Sequence, residues 1–469
     1  METSDFNKIL NEIPTYTRFL NVSEIDNLVN LIIEMPNVKN KKIGITIDDK
    51  PLIMLDIGES DKTALIIGVP HSDEPLGSLV ITYFARWLAT HPEVNSFGWR
   101  WLLIPILERR GMRLNEGWFN MPESLAAMAK SSFREPTEDQ YEWTFPIEYE
   151  DYQWTQSRPE TIAIKEVLEK ERPELLCNLH HSGFTNGYYY LSKDFPDVYP
   201  KLRKFVSSLN IPLSDKSPDV PFGQMLSPGF YQMYGLKDYI QYYKKKDPLI
   251  LPDLRRGACS DEWYQKNIGG FSFNCEVPMY LSHKLEDKNQ SKKSYKKMVE
   301  ERYKRKKSRV EYSTKILEKL KEYENMADPL LFNLAKKHIS NAKLSIEHEK
   351  RILEKAEDRT ITKAEKFENS VVEDIFDLFF LGQIWRVAES ICVKGGAPKI
   401  CQLMETYDLE IKSIAKSVQE RGAFYHVPIR NSVKMQLGSI LIIADDLKNK
   451  IKNSNNQNQM SNSHKQGSY

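Results

Sequence analysis

Short apolar runs alternate with helical patterns over the first 285 residues of the chain. Strands are predicted where an apolar run ends in turn residues, as in TALIIGVP, RWLLIPIL, ELLCNL, GYYYL and GFSFNCEVPMY. Between these runs, PLGSLVITYFARWLATHP and PETIAIKEVLEKERP carry apolar residues at helical spacing. Strands that alternate with helices of this length predict an α/β domain with a parallel or mixed sheet over residues 1–285.

The pattern changes after Leu285, where the strand signals end. Apolar residues then recur at spacings of three and four, as in ILEKLKEY, IEHEKRILEKA and SVVEDIFDLFFLGQIWRVAESI. This spacing predicts an all-helical region of five or six helices over residues 286–450. The remaining residues, 451–469, are polar and low in complexity, which predicts a disordered tail.

The composition supports a folded protein with no obvious charged partner. Hydrophobic residues make up 41% of the 469 residues and charged residues 28%, which excludes a mostly disordered chain. Lysine and arginine number 66 against 65 acidic residues, so the net charge gives no indication of a nucleic acid partner. No signal peptide and no apolar run long enough to span a bilayer is visible. We therefore expect a cytoplasmic protein that does not associate with membranes.

The cysteines do not suggest a disulfide framework. Their number is five, which is odd, and no two of them form a CxxC pair. In a cytosolic protein this usage indicates reduced thiols rather than disulfides or a cysteine-type zinc site.

A histidine and a glutamate stand three residues apart directly after the strand TALIIGVP. His71 and Glu74 can project to one side of a turn and share a metal ion. Their position is favourable, because open α/β sheets place ligands at the carboxyl ends of their strands. Such a pair also arises by chance, so it does not identify a site alone.

Two adjacent histidines lie at the end of the strand ELLCNL. Alternation along the strand places Asn178 and His180 on one face and their neighbours on the other. This favours His180 as a metal ligand, with His181 as the alternative. Two histidines and a carboxylate with an open fourth position make a catalytic zinc set, although a hydrogen-bonded histidine explains either ring taken singly.

A third strand, FSFNCEVP, carries a carboxylate near its end. Alternation puts Asn274 and Glu276 on the face opposite the apolar residues of this strand. A glutamate near the core is rarely left unpaired, so Glu276 requires either a cation or a catalytic role. A salt bridge would explain Glu276 by itself.

Together, the three strand ends resemble those of the zinc carboxypeptidases, the funnelin metallopeptidases. The resemblance covers residues 1–285 and implies that family's mixed-sheet, phosphorylase/hydrolase-like α/β fold, here with an added helical region. It implies one Zn²⁺ per chain, held by His71, Glu74 and His180. It also implies that Glu276 is the general base.

A further match concerns the substrate. The segment MRLNEGWF resembles a stretch of bacterial members of the family. The resemblance implies that Arg113 polarises or holds the substrate and that Asn115 contacts it.

Two departures from the family affect substrate recognition. The usual Asn-Arg pair for a terminal carboxylate is not recognisable, and LERRG stands where the family has a different turn. The family's mobile tyrosine also has no counterpart, although Tyr239, Tyr242 and Tyr243 lie nearby.

The resulting hypothesis is a zinc-dependent hydrolase that cleaves a peptide bond, most specifically a metallocarboxypeptidase acting on a peptide C-terminus. The alternatives are an N-acyl amino acid deacylase or amide hydrolase of the same superfold, and a non-catalytic peptide-binding scaffold with a degenerate peptidase domain.

The helical region begins with a basic run. Between Lys284 and Arg309 there are twelve basic and four acidic residues. The interspersed acids favour a solvated helix face, and the alternative is a docking surface for an acidic peptide or RNA. We expect the helical region to cover the flank of the sheet or restrict access to the site, and it could also bind a protein or peptide partner.

Overall fold

The computed structural model describes the backbone of residues 2–216, 219–395 and 398–466, without the side chains of residues 252–253 and 453–466. Within these ranges there are fifteen strands: β1 (Val38–Ile45), β2 (Pro51–Ile57), β3 (Thr63–Ile67), β4 (Arg100–Ile104), β5 (Ile147–Tyr149), β6 (Tyr152–Trp154), β7 (Leu175–Gly183), β8 (Tyr188–Leu191), β9 (Met225–Ser227), β10 (Phe230–Gln232), β11 (Phe271–Pro278), β12 (Tyr280–Leu281), β13 (Gln290–Ser294), β14 (Thr360–Thr362) and β15 (Tyr425–His426).

The same part of the chain contains fifteen α-helices: α1 (Thr3–Asn11), α2 (Val22–Ile33), α3 (Leu76–Thr90), α4 (Arg109–Asn115), α5 (Leu125–Ser131), α6 (Pro159–Glu171), α7 (Tyr199–Ser208), α8 (Leu236–Lys246), α9 (Ser260–Asn267), α10 (Tyr295–Lys321), α11 (Pro329–Lys355), α12 (Lys363–Phe367), α13 (Glu373–Val393), α14 (Pro398–Gly422) and α15 (Ile429–Gln466). A π-helical turn, Glu368–Val372, joins α12 to α13.

Nine strands form one mixed sheet in the order β1-β2-β4-β3-β7-β11-β8-β10-β9. The central strands β4, β3, β7 and β11 run parallel to one another. The pairs β1–β2, β2–β4 and β11–β8 are antiparallel. A mixed-sheet α/β domain followed by a helical region is the predicted fold class, and the structure confirms it.

Helices cover both faces of the sheet, which explains why its central strands are buried on both sides. Strands β3 and β11 are buried at every position. On one face, Ile66 and Cys275 share a core with Ile440 of α15. On the other face, Leu65 shares a core with Trp263 of α9. The carboxyl ends of the parallel strands are therefore held between two packed layers.

The helical region shares a core with the sheet instead of standing apart from it. Helices α10, α11, α13 and α14 pack against one another, and α15 then returns to the sheet. Short strand pairs add to these contacts, since β13 pairs with β14 and β12 pairs with β15. Helix α15 runs to Gln466, while the side chains from residue 453 onwards and all of residues 467–469 lie outside the described residues.

Two cysteines of the helical region are paired, which corrects the expectation of reduced thiols throughout. Cys392 of α13 and Cys401 of α14 form a disulfide, and their Cα atoms are 5.6 Å apart. The two cysteines are nine residues apart in the sequence, a spacing that matches no short cysteine motif. The other three cysteines are free and buried: Cys177, Cys259 and Cys275.

Part of the basic run that begins at Lys284 is paired within the helical region. Arg302 of α10 lies 2.7 Å from Glu349 of α11, and Lys306 lies 3.2 Å from Glu373 of α13. Further along α10, Arg309 lies 3.4 Å from an aspartate of α13. These contacts account for three of the twelve basic residues, and a docking surface for an acidic peptide or RNA stays a prediction.

Among the helices that the structure describes, none is both long enough and apolar enough to cross a membrane. A cytoplasmic location stays a prediction.

Candidate active site

The first predicted pair lies in a turn directly after β3. The chain passes close to its neighbours there, since a Cβ on Gly68 would lie 2.5 Å from the carbonyl oxygen of Pro105. The hydroxyl of Ser72 donates to the carbonyl oxygen of Phe133 at 2.8 Å. These contacts fix the turn that carries His71 and Glu74, both of which are buried.

Three predicted ligands come together at the carboxyl ends of β3 and β7. His71, Glu74 and His180 each offer a ligand atom, and these atoms lie within 4.8 Å of one another. Nδ1 of His180 is 2.9 Å from Oε2 of Glu74. Nδ1 of His71 is buried and has no hydrogen-bond partner in the described chain. A buried lone pair beside a histidine and a carboxylate fits a metal ion, so this group can bind one.

Glu142 lies close to the Nε2 atoms of both histidine rings. Its carboxylate lies 2.8 Å from Nε2 of His71 and 3.3 Å from Nε2 of His180. Burial raises the pKa of Glu142, but the contacts with His180 and His71 outweigh burial and bring the pKa below its usual value. A carboxylate that accepts the outer N–H of a metal-binding histidine fixes the ring and its tautomer. Sequence reasoning missed Glu142, which lies in a short 3₁₀ turn with no periodic signal.

The candidate ligand Glu74 also forms an ion pair with an arginine. Burial raises its pKa, but the nearby His71 and His180 outweigh this effect, and the pKa of Glu74 falls to about 2. Nη1 of Arg134 lies 3.0 Å from Glu74 and 3.3 Å from Asp73. Arg134 could not be recognised from the sequence, because the loop that carries it has no periodic pattern.

Glu276 faces the ligand cluster from the next strand. It is opposite His180 in the parallel register of β7 and β11, and opposite Tyr188 in the antiparallel register of β8. Within the described residues it forms no ion pair and no hydrogen bond through its carboxylate, so no salt bridge accounts for it. Burial raises the pKa of Glu276 well above its usual value, and the charge of His180 opposes this effect.

The structure does not bring Arg113 to this site, which corrects that expectation. Arg113 is exposed on α4, a short helix whose buried side is formed by other residues. It is not among the described residues that line the cavity around the ligands.

Asn115 is also corrected, because its side chain is fully used within the fold. Its amide donates to the carbonyl oxygens of Ser72, Gly111 and Phe133 at 2.8 to 2.9 Å. Its Oδ1 accepts the backbone N–H of Phe133 at 3.0 Å. Asn115 therefore joins the ligand turn to the loop before Arg134 and has no group left for a substrate.

Asn178, whose position favoured His180, also has a structural role. Its Oδ1 accepts the hydroxyl of Tyr141 at 2.7 Å, and its Nδ2 donates to Ser260 at 3.1 Å. This contact holds Tyr141, which directly precedes Glu142 in the chain. The network therefore links β7 to the carboxylate that holds the histidines.

The cluster lines a cavity of about 750 Å³. The tyrosines that line it are Tyr188, Tyr190 and Tyr234. The nearby tyrosines considered from the sequence, Tyr239, Tyr242 and Tyr243, are not among its described lining residues. The helical region supplies one wall, formed by Glu368, Asn369, Val372, Glu373, Phe376 and Phe379.

No protein-family model and no curated protein matches the chain. Solved structures are similar to it over about half its length. One, from Shewanella amazonensis SB2B and provisionally classed as a metallopeptidase, is 12% identical with a TM-score of 0.39, covering 55% of this chain and 84% of that one. A metallo-carboxypeptidase from Burkholderia cenocepacia is 13% identical with a TM-score of 0.35, covering 55% of this chain and 60% of that one.

A third similar structure is the carboxypeptidase A of Helicoverpa armigera. It is 11% identical with a TM-score of 0.34, over 59% of this chain and 71% of that one. These proteins are of the class that the strand-end motifs resemble. At such low identities and TM-scores, the function of this chain depends on its own site residues.

Proposed function

We propose that the protein is a zinc-dependent hydrolase that cleaves an amide bond in a peptide. The observation that supports this most directly is the position of Glu276, a buried carboxylate without a partner in the described chain. It faces His180 across the β7–β11 register, next to a three-ligand cluster. Two histidines and one carboxylate, with a further position open, are the usual ligands of a catalytic Zn²⁺.

Each side chain then has a separate task. A bound Zn²⁺ would act as a Lewis acid toward the scissile carbonyl and would acidify water. The carboxylate of Glu276 accepts the proton of the attacking water and delivers it to the leaving amine nitrogen. Its buried position excludes bulk water, and the raised pKa suits a group that must both take and give a proton. Glu142 keeps the two histidine rings in one orientation.

Arg134 takes the role that the sequence resemblance implied for Arg113. Its guanidinium lies beside the ligand Glu74 and lines the cavity, so it can donate to the oxygen on which negative charge develops. Cleavage at a free C-terminus is the more specific form of this proposal. Partner binding by the helical region stays a prediction.

The substitution Glu276→Gln tests the proposal. It keeps the size of the side chain but removes the proton acceptor, so we expect kcat to fall by roughly 10²–10⁴ while zinc content is unchanged. The assay uses the zinc-loaded full chain with a peptide library read by mass spectrometry. Glu148→Gln, at an exposed position of β5, is the control.

Two results would contradict the proposal. Near-normal turnover of Glu276→Gln on a validated substrate would remove Glu276 from the mechanism. A wild-type protein that binds zinc but cleaves neither peptides nor N-acyl amino acids would favour the non-catalytic scaffold.

A further inference from the structure

Arg256 brings a positive charge into the cavity that no acid of the described chain neutralises. Its guanidinium carbon lies 4.6 Å from the ring centre of Trp143 and 4.2 Å from that of Tyr239. Its Nε and Nη2 atoms are buried and have no hydrogen-bond partner in the described chain. Arg256 lines the same cavity as the three candidate ligands.

Other arginines around the site are paired with acids. Arg134 is paired with Glu74, and Arg158 lies 2.8 Å from the buried carboxylate of Glu108. The two rings that enclose Arg256 hold the guanidinium plane in place, but a ring face does not accept its in-plane N–H donors. Leaving buried donors unsatisfied is unfavourable, so the arrangement is incomplete without a ligand.

Trp143, one of the two rings that contact Arg256, is adjacent in the chain to a residue that contacts the candidate ligands. Trp143 follows Glu142 in the chain, and Glu142 contacts both histidines. Because Arg256 and the ligands line one cavity, a substrate that reaches the metal centre can also reach Arg256.

We propose that Arg256 is a specificity residue that binds a carboxylate of the substrate. The guanidinium offers a rigid fork of donors that matches the two oxygens of a carboxylate, and stacking between two rings orders this fork before the ligand arrives. The carboxylate can belong to an acidic side chain or to a free C-terminus. The inference rests on the proposed hydrolase function, and binding measurements separate the two.

The test uses four peptides of one sequence with a blocked N-terminus. The residue after the scissile bond is glutamate or glutamine, and the C-terminus is free or amidated. We expect Arg256→Met to lower kcat/KM about 10- to 100-fold for the peptides that carry the recognised carboxylate. Peptides that lack it should be unaffected. A loss confined to the glutamate peptides identifies the side chain, and a loss confined to the free termini identifies the C-terminus.

Two further variants make the test selective. Arg256→Lys keeps the charge but loses the planar fork, so we expect a smaller loss on the same peptides. Arg203→Met is the control, because Arg203 also stacks on a ring, that of Phe230, and lies outside the cavity lining. Thermal unfolding of each variant shows whether it is folded, and Arg256→Lys serves if Arg256→Met is not.

A binding experiment separates carboxylate binding by Arg256 from the hydrolase function. It measures equilibrium binding of the same peptides to the zinc-loaded Glu276→Gln protein, with and without Arg256→Met. If the wild type cleaves none of the peptides, the hydrolase proposal fails. An Arg256-dependent preference for a carboxylate in binding then still supports the inference. If the wild type cleaves the peptides but Arg256→Met changes all four equally or none, the inference is overturned and the hydrolase proposal stands.

Discussion

Oε2 of Glu142 lies 2.8 Å from Nε2 of His71. The other oxygen of the same carboxylate is 3.3 Å from Nε2 of His180. Nε2 of His71 can therefore donate to this carboxylate, whereas Nε2 of His180 lies near it without a hydrogen bond. On the other side of the His180 ring, Nδ1 lies 2.9 Å from Oε2 of Glu74.

The substitution Glu142→Gln should weaken zinc binding. An amide keeps one acceptor oxygen for Nε2 of His71 but removes the negative charge that faces both rings. We expect roughly 10- to 100-fold lower zinc affinity, as is typical when an outer partner of a metal-binding histidine is lost. Competition with a fluorescent chelator measures this affinity, with Glu148→Gln as a control. Unchanged affinity would show that Glu142 does not hold the ligands.

His180 and His181 should differ sharply in their effect on zinc content. The wild type should bind about one Zn²⁺ per chain, and His180→Ala should lose most of it. Burial lowers the pKa of His181 to about 4, so this ring is neutral at pH 7, and its nitrogens have no hydrogen-bond partner in the described chain. His181 is not among the described residues whose ligand atoms cluster, so His181→Ala should retain zinc. Elemental analysis of the two variants decides, and equal losses would contradict the ligand assignment.

Arg134 should matter for turnover, whereas Arg113 should not. A side chain that donates to the developing oxyanion is typically responsible for about 10²–10³ in kcat, and we expect a loss of this size for Arg134→Met. Arg113→Met, at an exposed position outside the cavity, is the matched control. Zinc content is measured in parallel, because Arg134 contacts Glu74. Similar kinetics for the two variants would remove Arg134 from the mechanism.

The strand-borne part of the site could be predicted from the sequence because strands have a fixed period of two. Alternation placed Asn178 and His180 together on β7, and it placed Glu276 on a similar face of β11. The structure pairs His180 with Glu276 in one register. The turn after β3 was recognisable because His71 follows an apolar strand directly.

The loop-borne part could not be predicted, because tertiary hydrogen bonds set its geometry. The backbone N–H of Tyr141 donates to the buried carboxylate of Glu108 at 2.8 Å, and this contact anchors the turn that carries Glu142. No local pattern of residues marks such a contact. The same holds for Arg134 and Arg256, whose partners lie far away in sequence.

The helices after residue 285 could be predicted from their periodicity, but the elements against which they pack could not. An apolar helix face shows that something covers it, without indicating which element does so. Helix α15 covers the sheet, while α13 packs on α5. Arg386 of α13 secures this second contact by donating to the carbonyl oxygens of Ser131 and Ser132, each at 3.1 Å.

Gly382 tests the packing of α13 on α5. A Cβ at this position would overlap the carbonyl oxygen of Ala129, a backbone atom that cannot move aside cheaply. Gly382→Ala should raise helix propensity by about 1 kcal/mol, yet overpacking of this kind costs about 1–3 kcal/mol. We expect a net loss of stability in urea unfolding. A more stable variant would show that the contact between the two helices is loose.

Asp247 should make the attachment of α11 dependent on pH. Its carboxylate lies 2.8 Å from Nδ1 of His348 and 2.7 Å from Nε of Arg351, both on α11. Burial raises the pKa of Asp247, but these hydrogen bonds outweigh burial and bring the pKa below its usual value. A lowered carboxyl pKa stabilises the folded state above the unfolded pKa of about 3.9, and this stability is lost as the pH falls through the folded pKa.

The substitution Asp247→Asn should therefore destabilise the protein at pH 7, and the difference from the wild type should shrink as the pH falls below about 4. Urea unfolding at a series of pH values measures both free energies. Asp151→Asn, in the exposed turn between β5 and β6, should leave the curve unchanged. A difference that stays constant at every pH would mean that Asp247 contributes through its shape and not through its charge, because only the charge is removed by protonation.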